Sequence, residues 1–256
     1  MKILRKWSTM VIVKTEEEIE KMKMACLIVK DVLEEVAQYV RAGNKTKVID
    51  KFVETYIYSH SAKPSFKNYN GFPSSCCVSV NDVVVHGIPG DYVLKSGDVV
   101  SIDVGAFMNG FHGDAARTFI VDGADDEVKK LVKVTERSFY EGLKGAVVGG
   151  RLTDISHKIQ MYVEENHFSV IRDFYGHGIG RELHEGPAIP NYGVGGRGVL
   201  LKHGMTLAIE PMVAMGKYFV RILDDGWTTV TSDGSLSAHY ENTIAITNDG
   251  PVILTV

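Results

Sequence analysis

At 256 residues, with 45% apolar and 23% charged side chains, the chain has the composition of an ordinary globule, either one large domain or two small ones. A formal net charge of -4 offers no basic stripe to neutralise phosphates, which excludes a direct nucleic-acid role while leaving proximity to a ribosome open. The three cysteines, Cys26, Cys76 and Cys77, form no CxxC pair and two are adjacent, which excludes a disulfide framework and a zinc knuckle and fits a reducing compartment.

The stretch Trp7–Val13 is too short, and too soon ended by Lys14, for a signal peptide or membrane span, so a cytoplasmic protein is expected. Residues before Thr15 have no clear element. Thr15 with Glu18 makes a capping box, and an amphipathic helix is predicted from there to about Val40, stopped by Gly43 and Asn44. Thr46 is the expected cap of a second helix running to about Tyr58, with Val48, Ile49, Phe52, Val53 and Tyr56 on its buried face.

From Lys63 the periodicity changes to short strands. Residues 76–80 and 83–86 flank Asn81-Asp82, a two-residue turn signal, and a hairpin there sets Cys77 opposite His86. Asn109-Gly110, between β-branched and aromatic runs, marks a second hairpin that pairs Asp103 with Ala116 and makes Asp114 the diagonal neighbour of Asp103 on the same face. Diagonal neighbours lie about 7–8 Å apart at the backbone, near enough for two inward carboxylates to share cations. Two further helices are predicted, Ala124 to Gly142 and Thr153 to about Asn166.

The order helix, helix, strands occurs twice. An offset of 107 carries Gly43 to Gly150, Thr46 to Thr153, Gly97 to Gly204 and Asp103 to Glu210; an offset of 127 carries His112 to His239, Asp114 to Glu241 and Gly123 to Gly250. The second copy thus holds about 20 extra residues between its acids, including Asp224-Asp-Gly-Trp227. Two halves, about 15–123 and 124–250, related by a pseudo-twofold axis would bring four carboxylates together, where they repel unless cations neutralise them. His177 maps onto Asn70, has no ionisable twin and lies among glycines, which makes it the natural fifth, asymmetric ligand. Four carboxylates and one imidazole suit Mn, Fe, Co or Zn better than a thiolate-loving ion. Neither a dinucleotide fingerprint, nor a zincin motif, nor a GxSxG elbow is present.

These residues also carry a resemblance. Asn70-Gly-Phe-Pro73, Val80–Pro89, Ser101-Ile-Asp-Val-Gly105, Gly110-Phe-His-Gly-Asp114, Gly176-His-Gly-Ile-Gly180, Ala208-Ile-Glu-Pro211 and Glu241-Asn-Thr243 resemble the type I methionine aminopeptidases, M24 metallopeptidases, over about residues 10–256. The resemblance implies an α+β pita-bread fold, a curved antiparallel sheet backed by helices, in a single catalytic domain over 10–256 with residues 1–9 as an extension. It implies two divalent ions (Co, Mn, Fe or Zn), bridged by Asp114 and Glu241, with Asp103 completing one and His177 with Glu210 the other.

The same resemblance gives Glu210, His184 and His86 catalytic roles: proton carrier, stabiliser of the developing oxyanion, and contact to the scissile amide. It places Phe66, Tyr69, Phe72, Cys77, Leu183 and Trp227 around the substrate side chain, and a monovalent cation near Asn81, Val83 and Ser237. The implied activity is removal of the initiator methionine from nascent chains and peptides whose second residue is small, by a monomer with no membrane attachment. Rival readings are a non-catalytic peptide- or ribosome-associated protein on the same scaffold, disfavoured by the complete ligand set, and a proline-directed exopeptidase, disfavoured by the missing N-terminal architecture.

Overall fold

The computed structural model describes residues 11–256, so the reading of residues 1–9 as an extension lies outside the described residues. Among the described residues four α-helices, α1 (Glu16–Glu35), α2 (Thr46–Ser59), α3 (Asp126–Leu143) and α4 (Leu152–Glu165), come in two consecutive pairs, each followed by a run of strands. The first-half strands are β1 (Lys63–Pro64), β2 (Cys76–Val80), β3 (Val83–Val85), β4 (Val99–Met108) and β5 (Phe111–Ile120). The second half adds β6 (Ser169–Val170), β7 (Tyr175–Gly178), β8 (Glu185–Pro190), β9 (Thr206–Ile209), β10 (Met212–Ala214), β11 (Val220–Ile222) and β12 (Thr229–Thr231). It closes with β13 (Ser237–His239), β14 (Glu241–Thr247) and β15 (Gly250–Ile253).

The principal sheet runs β1-β4-β5-β14-β9-β7-β8, with β2 on β4 and β15 on β14. Its centre, β4-β5-β14-β9, reads the same from either side once β4 is matched to β9 and β5 to β14, as the repeat requires. Loops obey the same symmetry. Lys45 bridges Val93 as Arg151 bridges Leu200, and Gly43 N donates to Leu94 O as Gly149 N donates to Leu201 O. Equivalent residues before α2 and α4 therefore differ by 106, and the partner of Gly43 is Gly149, not Gly150; both have positive φ, 89° and 85°.

Each helix pair seals one half. Val29, Val32, Ile49 and Val53 pack against Val100, Ile102 and Ala115, and Leu131, Phe139, Ile155 and Ile159 against Leu207, Ile209 and Ile244. A Cβ on Gly113 would fall 2.7 Å from the backbone nitrogen of Cys26, so α1 rests directly on β5 at that point. Side chains alternate along a strand, so Asp114 faces the other way, into the concavity.

The capping box at Thr15 forms as read, both of its hydrogen bonds present, but α1 ends at Glu35 and a 3-10 turn covers Val36–Tyr39. Lys45, not Thr46, is the N-cap of α2, because the Thr46 hydroxyl is taken by the Gly90 amide and carbonyl. Val48 stands 39% exposed, since the helix buries Ile49, Val53 and Ile57 instead. The helices α3 and α4 begin at Asp126 and Leu152, two residues after and one before the predicted starts.

Candidate metal centre

The Asn109-Gly110 turn takes positive φ at both residues, 54° and 85°, which matches the twist of the strands it joins. The register that follows sets Asp103 opposite Ala116 and Asp114 opposite Gly105, so the two acids share a face as diagonal neighbours. Thr243 on β14 locks this point: Asp114 N donates to its hydroxyl, which in turn donates to Asp114 O. Across the sheet Asp103, Asp114, Glu241, Glu210 and His177 then come from five successive strands, β4, β5, β14, β9 and β7, with Glu210 one residue beyond β9.

Their side chains converge. His177 Nε2 lies 4.0 Å from Asp114 Oδ2 and 3.6 Å from Glu210 Oε1. His177 Nδ1 donates to Gly178 O over 2.9 Å, a tautomer that turns the Nε2 lone pair towards the acids. Ligand atoms of Asp114, His177 and Glu241 all lie within 4.8 Å of one another, as do those of Glu210, His239 and Glu241. Burial holds the His177 imidazole neutral, pulling its pKa down to about 4, so these contacts are not ion pairs.

The four carboxyls are equally uncomfortable as anions. Burial, then the Asp103 and Glu210 charges, pushes Asp114 well above the usual range. Burial and Asp103 do the same to Glu210; burial and Asp114, Glu210 and Asp103 do so to Glu241. Burial raises Asp103 to about 7, although its hydrogen bond with Asp114 works the other way. Asp103 Oδ1, Asp114 Oδ1 and Glu241 Oε1 are buried without a hydrogen-bond partner. Buried carboxylate oxygens that no donor satisfies, beside a neutral imidazole lone pair, are what a divalent cation would satisfy, and the donor set fits one.

A model of metallopeptidase family M24 matches residues 20–248. The chain belongs to this family. It is 56% identical over 247 residues to a Clostridium perfringens protein named methionine aminopeptidase, covering 96% of this chain and 99% of that one. The Escherichia coli protein of the same name is 44% identical over 246 residues, covering 95% and 93%. The crystal structure of the Thermotoga maritima methionine aminopeptidase superposes with a TM-score of 0.95 at 50% identity, covering 96% of this chain and 99% of that one. A Pyrococcus furiosus prolidase, 24% identical with a TM-score of 0.78, shares the fold; this chain covers 65% of it.

Beside the carboxyls of this M24 chain lies an apolar cluster that gathers Phe66, Tyr69, Phe72, Cys77, Leu183 and Trp227. Phe72 meets Trp227 edge to face at 5.2 Å, and His86 meets Phe174 and Trp227 at 5.4 and 6.1 Å. His184 Nδ1 lies 2.7 Å from the Tyr69 hydroxyl, with its ring 4.4 Å from that of His177. The expected pairing of Cys77 with His86 does not form. Cys77 stands opposite Asp103 on β4, while β3 pairs with β12. The Asn81-Asp82 backbone is taken by distant strands: Asn81 N donates to Val99 O, Asn81 O accepts from Ser237 N, and Asp82 O accepts from Thr231 N. His86, at φ 59°, then turns towards Trp227 of the second-half insertion. Ser237 Oγ donates to Val83 O at 3.0 Å and Asn81 O at 3.3 Å, which brings those three residues together.

His239 is the residue that the sequence reading passed over. Its Nε2 is buried, lacks a hydrogen-bond partner, and lies 3.8 Å from Glu210 Oε2 and 3.9 Å from Glu241 Oε2. The one available signal was its offset partnership with His112, which instead shares a hydrogen bond with Ser65.

Proposed function

We propose that this M24 metallopeptidase removes N-terminal methionine from polypeptides whose second residue is small, using two divalent cations held by Asp103, Asp114, His177, Glu210 and Glu241. The observation that carries the reading is the meeting of four carboxyls, two buried and two half-buried, and a neutral imidazole beside an apolar cluster of aromatic and sulfur-bearing side chains. Divalent cations bound there would supply Lewis acidity, polarising the first peptide carbonyl and lowering the pKa of the attacking water.

Glu210 is the proton carrier of this proposal. Its raised affinity for protons suits a group that takes a proton from the attacking water and returns it to the leaving amine. His184, held by Tyr69, donates a hydrogen bond to the carbonyl oxygen as charge builds on it. His86 contacts the scissile amide. The aromatic pocket takes the thioether, since sulfur–aromatic contacts favour methionine over branched chains. Asn81, Val83 and Ser237 would hold a monovalent cation that stiffens the loop leading to His86.

The proposal extends to a single catalytic domain over 10–256, acting as a monomer on nascent chains in the cytoplasm. Among the described residues no helix is long and apolar enough to cross a membrane. Purified protein supplied with Mn, Co or Fe should release methionine from Met-Ala and Met-Gly peptides and leave Met-Lys peptides intact. Absence of release with every divalent ion would overturn the reading.

A further inference from the structure

Residues 11–14 cross the end of the sheet as an extra strap. Val11 bridges Gly186, Val13 bridges Met205, and Lys14 N donates to Gly204 O over 2.7 Å. From this strap the Lys14 side chain enters the interior and pairs with Glu185; both side chains are only 2% exposed. Two glycines make the room. A Cβ on Gly180 would fall 2.4 Å from Lys14 Cε and 2.6 Å from Glu185 Oε1, and one on Gly204 would fall 2.4 Å from Lys14 O.

An ion pair buried this deeply is poor value as a stabiliser, because desolvating both charges offsets most of their attraction. Its geometry shows another use. Glu185 Oε1 accepts the Arg181 amide at 2.9 Å and the Glu182 amide at 3.4 Å, so the carboxylate ties down the turn 181–184 from within. Outside, Glu18 in the first turn of α1 accepts from Arg181 Nη2 at 2.8 Å, and Gly180 O accepts from His112 N at 2.8 Å. The turn so held presents Leu183 to the apolar cluster and His184 to Tyr69.

We infer that Lys14 is a positioning residue for His184: by pinning the Glu185 carboxylate it fixes the 181–184 turn and so aims the imidazole at the reaction centre. The inference rests on the reading of His184 proposed above. Without the ammonium, Glu185 is a buried charge with no counterion, which swings towards water and so gives up the acceptor that the Arg181 and Glu182 amides need.

The test is Lys14→Met, which keeps most of the length of the side chain and removes the charge, beside Lys14→Met/Glu185→Met, which leaves neither an unpaired buried charge nor the acceptor. Imidazole 15N–1H correlations of the metal-loaded protein report the His184 ring directly, and kinetics on Met-Ala-Ser report its consequence. Both variants should shift the His184 resonances and lower kcat at least tenfold, with KM changed less than threefold and metal dissociation constants unchanged. The double variant should regain the thermal stability lost by the single one without regaining kcat. His184 resonances unmoved in the folded double variant, or a fall in kcat matched by an equal loss of metal affinity, would overturn the inference. A His184→Ala control separates the two layers: if it keeps wild-type kcat while Lys14→Met moves the His184 resonances, the catalytic reading of His184 has failed and the placement by Lys14 stands.

Discussion

Filling the metal centre should expel protons, and their source follows from the site. In the metal-free protein, burial and then neighbouring carboxylate charge push Asp114, Glu210 and Glu241 well above the usual carboxylate range, and burial raises Asp103 to about 7. His177 contributes no proton, because burial has already pulled it down to about 4. Cation ligands must be deprotonated, so loading at pH 7 releases protons from the carboxyl cluster. Each one makes the apparent affinity rise about tenfold per pH unit, roughly 1.4 kcal/mol. Calorimetric titration of the EDTA-treated protein with Mn, in buffers of different ionisation enthalpy between pH 6 and 8, counts them. Loading at pH 7 without proton release would refute the account of the carboxyl cluster.

The same shifts set the pH dependence of metal-free stability. His86 and His177, both lowered to about 4, are neutral when folded and charged when unfolded below about 6.5, so their contribution rises with pH and is complete above that value. The raised carboxyls act in the opposite sense, with the folded state keeping protons that the unfolded chain has lost. Above about pH 6.5, where the histidines no longer contribute, urea denaturation of the apoprotein should therefore show stability falling as pH rises, by about 1.4 kcal/mol per retained proton per unit, and excess metal should abolish the fall. Asp114→Asn removes one of the proposed shared ligands and should lower kcat by more than the roughly 10–100-fold that loss of a group behind a ligand costs, while the apoprotein stays folded by circular dichroism. Gly180→Ala overpacks the Lys14–Glu185 site and should cost about 1–3 kcal/mol in chemical denaturation.

Legibility in the sequence tracked the range over which each feature is decided. The Asn109-Gly110 hairpin was readable because two residues of turn chemistry fix twenty residues of register, and Asp103 and Asp114 came with it. The capping box of α1 is equally local. The Asn81-Asp82 hairpin carries a similar local signal, yet Val99, Thr231 and Ser237 compete for its backbone from far along the chain and win. Lys14 was illegible for the same reason: its partner is 171 residues away, and the preceding strap has too few residues to show a period. The glycines at 180 and 204 were visible, but what fills the space they leave was not.

Duplication explains why the acids meet, and the departures from it explain why the site has a direction. Symmetry pairs Asp103 with Glu210 and Asp114 with Glu241 around the β5–β14 seam, so a perfect dimer of halves would offer two equivalent cation positions and no preferred approach. Three differences break that equivalence. The second half places His177 beside Glu210, where the first half has Asn70 in a 3-10 turn. His239 reaches Glu210 and Glu241, whereas its counterpart His112 turns to Ser65. The insertion between Glu210 and Glu241 adds the β11–β12 hairpin, whose Asp225 accepts the Trp227 and Thr228 amides at 2.8 Å and sets Trp227 against Phe72 and His86. His177, His184 and His239 thus gather on the second-half side, with Tyr69 against His184 and Trp227 against His86, so a peptide entering this centre meets a different group at each end of its first bond.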